Sequence, residues 1–442
     1  MDVKGLRVTI MGLGHFGGGA AAARWLARQG AIVTVTDLAD AASLGATLHT
    51  LAREPIHALH LGGHRETDFR DADLLVVNPA VPPGNRFVEL ALGRGVRRTT
   101  EIELFLRACP ARTVGVTGTN GKSTTAAMTA ATLRADGRRA WLGGNIGNSL
   151  LDRLAEMTPQ DWAVLELSSF QLCHLGEDCP AVDVAVVTNC QPNHLDWHPG
   201  FAHYVASKQR LLTAQHSGQV AVLNTADTQV AGWSGLVRGC LREPAPAEEV
   251  PQLLLPGKHN RTNAACASAA AASAGCTAAA IRRGLQSFVT LPERLQLVYS
   301  LDGRRFYNDS ASTTPESTIA ALRTLDRPTW LLAGGTAKGA DYGAMVEAIA
   351  DRACGAALFG AMAEPLGRQI AARSPALPCV AAATLAEALA WCWTHSRPGQ
   401  EILLSPGCAS HDQFRNFRHR GETFVQLVRQ LAGDGREPRP GT

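Results

Sequence analysis

Residues 112–125 read RTVGVTGTNGKSTT, a β-prone run followed by a glycine-rich turn, a Lys-Ser-Thr junction and alanines. Backbone N–H groups of such a turn, continued by a helix N-terminus, form a concave site for anions. A lysine there adds charge, and a hydroxyl can join a Mg²⁺ shell. Gly118, Thr119, Asn120, Gly121, Lys122, Ser123 and Thr124 are therefore candidates to hold nucleotide phosphates. The spacing is a variant, because the common phosphate-loop pattern has glycine where this chain has Val116. By itself the loop says only ATP or GTP.

Two further residues have the right chemistry for a metal and phosphate site. Glu166 ends the run WAVLELS and His194 follows VAVVTN, both at the C-terminal ends of expected strands. Each taken singly also suits an ordinary role, a paired surface carboxylate or a hydrogen-bonded loop histidine. Near the N-terminus, Gly12-Leu13-Gly14-His15-Phe16-Gly17 matches GxGxxG after a strand, and Asp37 closes the next strand. That pattern alone suggests NAD or FAD and would serve a dehydrogenase equally well.

The elements that position these residues alternate. RVTIMG, IVTVTD, DLLVVN, TVGVTG, WAVLELS, VAVVTN, TWLLAGG, AALFG and EILLSPG read as strands, with helical runs between them. The alternation predicts an α/β fold with parallel sheets, and the near-continuous Val/Ile/Leu content predicts strands covered on both faces. At 442 residues the chain is expected to form about three domains. Boundaries are placed in the polar turn ACPAR and near SFVTLPERLQ, giving domains 1–100, 101–291 and 292–442, with a hairpin, VYSLDGRRFYND, opening the third.

Composition narrows the class. With 45% hydrophobic and 18% charged residues the whole chain should fold. A formal charge of +3 is too small for a nucleic-acid binder, and the basic run RNFRHR (415–420) reads as a solvated helix face. The eleven cysteines include no CxxC pair, which fits reduced thiols in the cytoplasm rather than a disulfide framework or a structural zinc site. The chain enters a strand almost at once, so no secretory signal is expected. ACASAAAASAGCTAAA (265–280) suits a packed helix better than a membrane span. No heptad or apolar stripe calls for an obligate assembly, so a monomer is favoured.

Taken in order, GTNGKST, ELSSFQL (166–172), NHLD (193–196), GKHNRTNA (257–264), NDSASTTPEST (308–318) and LSPGCASHDQFRNFRHRG (404–421) resemble the Mur ligase family over nearly the whole chain. The ELSSFQL and C-terminal blocks resemble its D-glutamate-adding branch. The resemblance implies three domains: a Rossmann-like N-terminal module for a UDP-sugar, a central ATPase with a parallel sheet, and a Rossmann-like C-terminal module for the amino acid. It also implies ATP-dependent joining of D-glutamate to UDP-N-acetylmuramoyl-L-alanine through an acyl phosphate, in cytoplasmic peptidoglycan precursor synthesis. Folylpolyglutamate synthases, which are related, lack the UDP-binding domain.

Residue by residue, the resemblance assigns the UDP-substrate to Gly14, His15, Phe16, Asp37, Asn145 and Gln171. Besides the loop, Asn260, Asn263, Arg294 and Asp309 fall where the family contacts the nucleotide. Glutamate would meet Thr313, Lys338, Ser410 and Phe417. Two Mg²⁺ ions would be held by Ser123, Glu166, His194 and Lys208, the last as a carbamate, with Lys122, His194 and Lys208 serving catalysis. One position departs from the family: it commonly has NDSKAT, whereas this chain reads NDSAST with Ala311 in place of the lysine, and Lys338 or Arg323 is left to compensate. A non-catalytic nucleotide-sugar binder would be expected to have lost some of Lys122, Ser123, Glu166, His194 and Lys208; all are present.

Overall fold

The computed structural model describes residues 2–432 except 15, 16, 148, 196, 256, 338 and 339. The predicted hydrophobic runs become strands of three sheets. The first sheet is fully parallel and comprises β1 (Arg7–Met11), β2 (Ile32–Asp37), β3 (Ala58–Leu61), β4 (Leu74–Val77) and β5 (Arg97–Thr99), in the order β3-β2-β1-β4-β5. The second, also parallel, holds β6 (Arg112–Thr117), β7 (Ala140–Gly144), β8 (Trp162–Glu166), β9 (Val184–Val187), β10 (Val220–Leu223) and β11 (Cys240–Arg242), ordered β11-β10-β9-β6-β8-β7. The third is mixed. Its strands are β12 (Gln296–Leu301), β13 (Arg304–Asn308), β14 (Thr329–Gly334), β15 (Ala353–Phe359), β16 (Cys379–Ala382) and β17 (Glu401–Leu404), with β12 and β13 forming the expected antiparallel hairpin and the others parallel.

Among the described residues, contacts gather into two compact units, one of residues up to Leu253 together with His259–Phe288, the other of Leu254–Lys258 with the chain from Val289. The first two sheets share a unit because one hydrophobic core runs through both. Val8, Ile10 and Val33 of the first sheet belong to the same cluster as Ile102 and Phe105 of the helix Glu101–Ala108 and Ala163, Leu165 and Ala185 of the second. Crossover helices cover the faces, as buried parallel strands require. In the third sheet, Leu331, Leu358 and Leu403 face one core and Trp330, Phe359 and Ile402 the other.

Close helix packing rests on small residues. The alanine-rich stretch 265–280 is the end of the helix Lys258–Ser273, a turn, and the start of the helix Ala278–Gln286, with Ala267, Ala270 and Ala271 inaccessible to solvent. The second of these helices lies on the helix Lys122–Ala135 at Gly284, where an added methyl would stand 2.6 Å from Thr132 Cα. Backbone cannot yield as a side chain would. Gly284→Ala is therefore expected to cost about 1–3 kcal/mol, read as a lowered urea midpoint for the first unit. An unchanged midpoint would mean that the helices separate without penalty.

Candidate active site

In the second sheet, β6 lies between β8 and β9, so Thr117, Glu166 and Val187 end side by side. Open α/β sheets place ligand sites at such carboxyl ends. Val116 occupies the position of the missing glycine because it is a fully buried strand residue in the core beneath the loop. The loop starts only at Gly118. Its two glycines are needed sterically: Gly118 has φ 151° and Gly121 has φ 78°, and an added methyl would meet Thr188 Oγ1 at 2.0 Å or Asn263 Oδ1 at 2.1 Å.

The loop is held from behind. Thr119 N donates to Asn189 O (3.0 Å), Asn120 N donates to Asn189 Oδ1 (2.8 Å), and Thr188 Oγ1 donates to Asn120 O (2.7 Å). Thr119 Oγ1 lies 3.0 Å from Tyr204 Oη and donates to Gln191 O at 3.1 Å. Thr188, Asn189 and Tyr204 were not foreseen from sequence. The Thr-Asn pair at the end of β9 was the available signal, because it sits at the same sheet end as the loop.

Around this loop the structure collects most of the candidate residues of the first unit. Ser123 Oγ donates to Glu166 Oε2 at 2.5 Å, and Asn145 Nδ2 donates to Glu166 Oε1 at 2.9 Å. The serine hydroxyl and the carboxylate are hard oxygen donors of the kind Mg²⁺ takes, and they fit that ion. Lys122 Nζ donates to Thr119 O and Lys208 Nζ to Gly118 O, each at 2.7 Å. Asn263 contacts Gly121 and donates through Nδ2 to Asn260 Oδ1 at 3.3 Å. Thr124 follows on the first turn of the helix, partly exposed.

Lys208 is 1% exposed and lies 4.5 Å from the centre of the Tyr204 ring. Burial is the main cause that drives its ammonium well below the usual lysine range, and the positive charge of Lys122 pushes the same way. That burial excludes a role for Lys208 as a solvent-facing helix lysine. His194 takes a left-handed backbone, φ 55°, and its ring packs against Phe170 with centroids 4.8 Å apart. A positive φ at a residue other than glycine is uncommon and here aims the ring from the loop after β9.

Two residues of the predicted UDP-substrate set have structural duties. Asp37 accepts from Leu13 N (2.7 Å) and Ala39 N (2.9 Å), tying the glycine-rich turn to β2. Gly14 is left-handed with φ 67°, and Asn78 closes the turn by donating to Gly12 O at 3.1 Å. Gln171 is buried and spends its carbonyl oxygen in a capping box with Ser168, a role that the S-x-x-Q spacing could have signalled. His15, Phe16 and Lys338 lie outside the described residues.

The second unit brings another group together. Asp309 Oδ1 accepts from Leu295 N (2.9 Å) and Oδ2 from Ser405 Oγ (2.7 Å); burial pushes its carboxyl up to about 6 against those bonds. Arg294, next to Leu295, is half-buried and opposes that rise through its charge. Arg420 corrects the reading of RNFRHR as a solvated face, because it is fully buried. Its guanidinium donates to Ser310 Oγ (3.0 Å), Ser310 O (3.0 Å), Cys408 O (3.2 Å) and Ala409 O (3.3 Å), while Ser310 Oγ donates to Phe417 O (2.7 Å). One cation thus gathers the NDSAST loop, the segment before the buried Ser410, and Phe417. The Thr313 N–H donates to Ala311 O at 3.0 Å. Arg323 is exposed in the last turn of the helix Pro315–Thr324, about 12 Å along the axis from the end that follows the loop. That places it wrongly to replace a lysine at 311.

Three family models match the chain in the same order as its sheets: the MurD-like N-terminal domain over residues 6–99, the Mur ligase middle domain over 116–238, and the Mur ligase glutamate ligase domain over 293–408. The chain belongs to the Mur ligase family. UDP-N-acetylmuramoylalanine–D-glutamate ligase of Roseiflexus sp. is 38% identical over 97% of this chain and 99% of its own length. The ligase of the same name from Anaeromyxobacter dehalogenans is also 38% identical, over 98% and 99%. Among solved structures, UDP-N-acetylmuramate-alanine ligase MurC of Thermotoga maritima superposes with a TM-score of 0.64, covering 96% of this chain and all of that one at 18% identity, which supports the shared fold. The family uses ATP, typically with Mg²⁺.

The contact of Gly121 with Asn263 makes a specific demand on the glycine-rich loop of this Mur ligase. Gly121→Ala is expected to raise the KM for ATP by about tenfold or more, since the left-handed backbone alone costs about 1–2 kcal/mol for a residue with a Cβ. Steady-state kinetics at saturating second substrates would check it, and an unchanged KM would show that the loop relaxes freely.

Proposed function

We propose that this Mur ligase joins D-glutamate to UDP-N-acetylmuramoyl-L-alanine with hydrolysis of ATP to ADP and phosphate, in the cytoplasm, as a step of peptidoglycan precursor synthesis. The observation that supports it best is the full-length similarity to ligases of that name, together with the Ser123–Glu166–Asn145 group at the phosphate loop. No helix among the described residues is long and apolar enough to cross a membrane. The domains responsible are taken as 1–100, 101–291 and 292–442, acting as a monomer.

An unactivated carboxylate is a poor acyl donor, and its attack on the γ-phosphate brings two anions together. Lys122 lies on the loop, its ammonium donating to Thr119 O, and would exchange that bond for one to a phosphate oxygen, while the N–H groups of residues 118–124 complete the cradle. Ser123, Glu166, His194 and carbamylated Lys208 would hold two Mg²⁺ ions, whose charge offsets the repulsion between carboxylate and phosphate. Burial of Lys208 favours its neutral amine, which is the form that reacts with carbon dioxide, and the resulting carbamate would exchange a buried cation for an anionic oxygen ligand. Asn145 and Gln171 orient the muramoyl group, Gly14, His15, Phe16 and Asp37 hold the UDP part, and Asn260, Asn263, Arg294 and Asp309 hold the nucleotide. The amine of D-glutamate, bound by Thr313, Lys338, Ser410 and Phe417, then displaces phosphate from the acyl phosphate.

Phosphate release with UDP-N-acetylmuramoyl-L-alanine, ATP and Mg²⁺ should require D-glutamate and give a product heavier by one glutamate residue. Turnover with L-glutamate instead would keep the chemistry and move specificity to the loop carrying Ala311; no turnover with any amino acid would sink the reading. Lys122→Ala should lower kcat/KM by at least about 100-fold. Lys208→Ala should be inactive and regain activity with added formate or acetate, and activity in the variant without either would remove Lys208 from the metal site.

A further inference from the structure

The first turn of the helix Gly18–Arg28 carries N–H groups that no side chain among the described residues caps, and it holds no acidic residue of its own. An acid reaches it from elsewhere. Glu101, the first residue of the helix Glu101–Ala108, points Oε2 at this turn: a methyl placed on Gly18 would lie 4.0 Å from that oxygen and 3.9 Å from Glu101 Cγ. The other oxygen, Oε1, accepts from Ser149 Oγ at 2.5 Å. A carboxylate therefore sits beside the first turn of the helix that follows the glycine-rich turn, to which the function proposed above assigns the nucleotide-sugar.

Two anions so close repel, and the diphosphate, a diester, stays ionised throughout the working pH range. The carboxylate is the partner that can yield. We propose that Glu101 is a proton-linked gate of the nucleotide-sugar cradle: the substrate diphosphate binds with uptake of one proton from solvent, which converts the Glu101 carboxylate to the neutral acid. This rests on the nucleotide-sugar reading above. In the neutral state the acid can donate a hydrogen bond to a phosphate oxygen where the carboxylate would only repel it.

The surroundings make the protonation inexpensive. Burial is the largest influence and pushes the Glu101 carboxyl up to about 7; the hydrogen bond from Ser149 opposes it, and the charge of Asp152 reinforces it. The other charged groups on the elements packed here are engaged with each other. Arg24, from the helix bearing the cradle, pairs with Asp152 at 2.5 Å, and Glu103 pairs with Arg107 at 2.7 Å on Glu101's own helix. No cation among these pairs is directed at Glu101 to hold it ionised.

The sign follows from linkage. Below about pH 7 Glu101 is already protonated in the free enzyme and no proton is taken up. Above it, affinity for UDP-N-acetylmuramoyl-L-alanine falls towards a limit of about tenfold per pH unit, and uptake approaches about one proton. Titration calorimetry of the full chain with this compound, at about pH 6 and about pH 8 in buffers of different ionisation enthalpy, measures both. Glu101→Gln, which mimics the neutral acid, should bind with an affinity independent of pH and without proton uptake.

Ser149→Ala tests the same point without touching the carboxyl. Losing a bond that favours the ionised form should shift the midpoint of the pH dependence upwards. Binding by the wild-type enzyme without proton uptake at the higher pH, uptake that survives in Glu101→Gln, or a midpoint unmoved in Ser149→Ala would each overturn the proposal while leaving the nucleotide-sugar reading intact. Absence of any binding heat with the wild-type enzyme would overturn both.

Discussion

The carboxylate of Glu166 is the point on which the second sheet's active end depends. It takes a hydrogen bond from Ser123 on one oxygen and from Asn145 on the other, so it fixes the helix after β6 against the turn after β7. Its backbone repeats the tie, because Glu166 O accepts from Asn145 N at 2.8 Å. Gly144 must be glycine for this to happen: a methyl there would stand 2.3 Å from Glu166 O, and φ is 85°. A residue 2% exposed thus has each carboxylate oxygen met by a neutral donor, Ser123 on one and Asn145 on the other.

Cations are treated in the opposite way. Lys208 and Arg420 are both enclosed, and each is satisfied by backbone carbonyl oxygens, Gly118 O for the lysine and Ser310, Cys408 and Ala409 O for the arginine. Removing water from a charge costs several kcal/mol unless dipoles replace it. The two side chains respond differently because their chemistry differs: the amine can surrender its proton, whereas burial lowers Arg420 only to about 10 and it stays charged. One buried cation is thereby suited to chemical modification, the other to permanent structural service.

Legibility in the sequence followed burial and local geometry. Central strands such as TVGVT and TWLLAG are continuous apolar runs because both faces are covered, and all nine runs singled out are strands. The strands that escaped notice, β3, β5, β7, β11 and β16, lie at sheet edges, where short runs such as the exposed CLR and the partly exposed RRT carry no hydrophobic signature. β10 escaped too, although it lies one strand in from the edge. The glycine-rich loop at 118–121 was readable because its glycines answer to steric demands of the backbone. Lys208 and Arg420 were not, since a cation's burial depends on carbonyls far away in sequence, 90 and up to 110 residues off. Pairing of Asn145 with Glu166 was likewise invisible, although the substitution of either would be felt by the other.

The missing lysine of the NDSAST loop has to be judged by potential rather than by side-chain count. Arg420 reaches that loop through both the hydroxyl and the carbonyl of Ser310, the residue next to Ala311, and it forms no ion pair among the described residues. Enclosed in a medium less polarisable than water, its field is screened less than that of a surface lysine. The helix Pro315–Thr324 starts four residues after Ala311 and turns its N-terminal dipole end towards the same segment of chain. A flexible lysine would add charge that must be ordered each time a ligand binds. A guanidinium held by five carbonyl and hydroxyl contacts, with a helix end beside it, supplies a fixed positive potential with that ordering already accomplished. With Ala311 in place of a lysine, the loop therefore still has a positive charge fixed beside it, on Arg420.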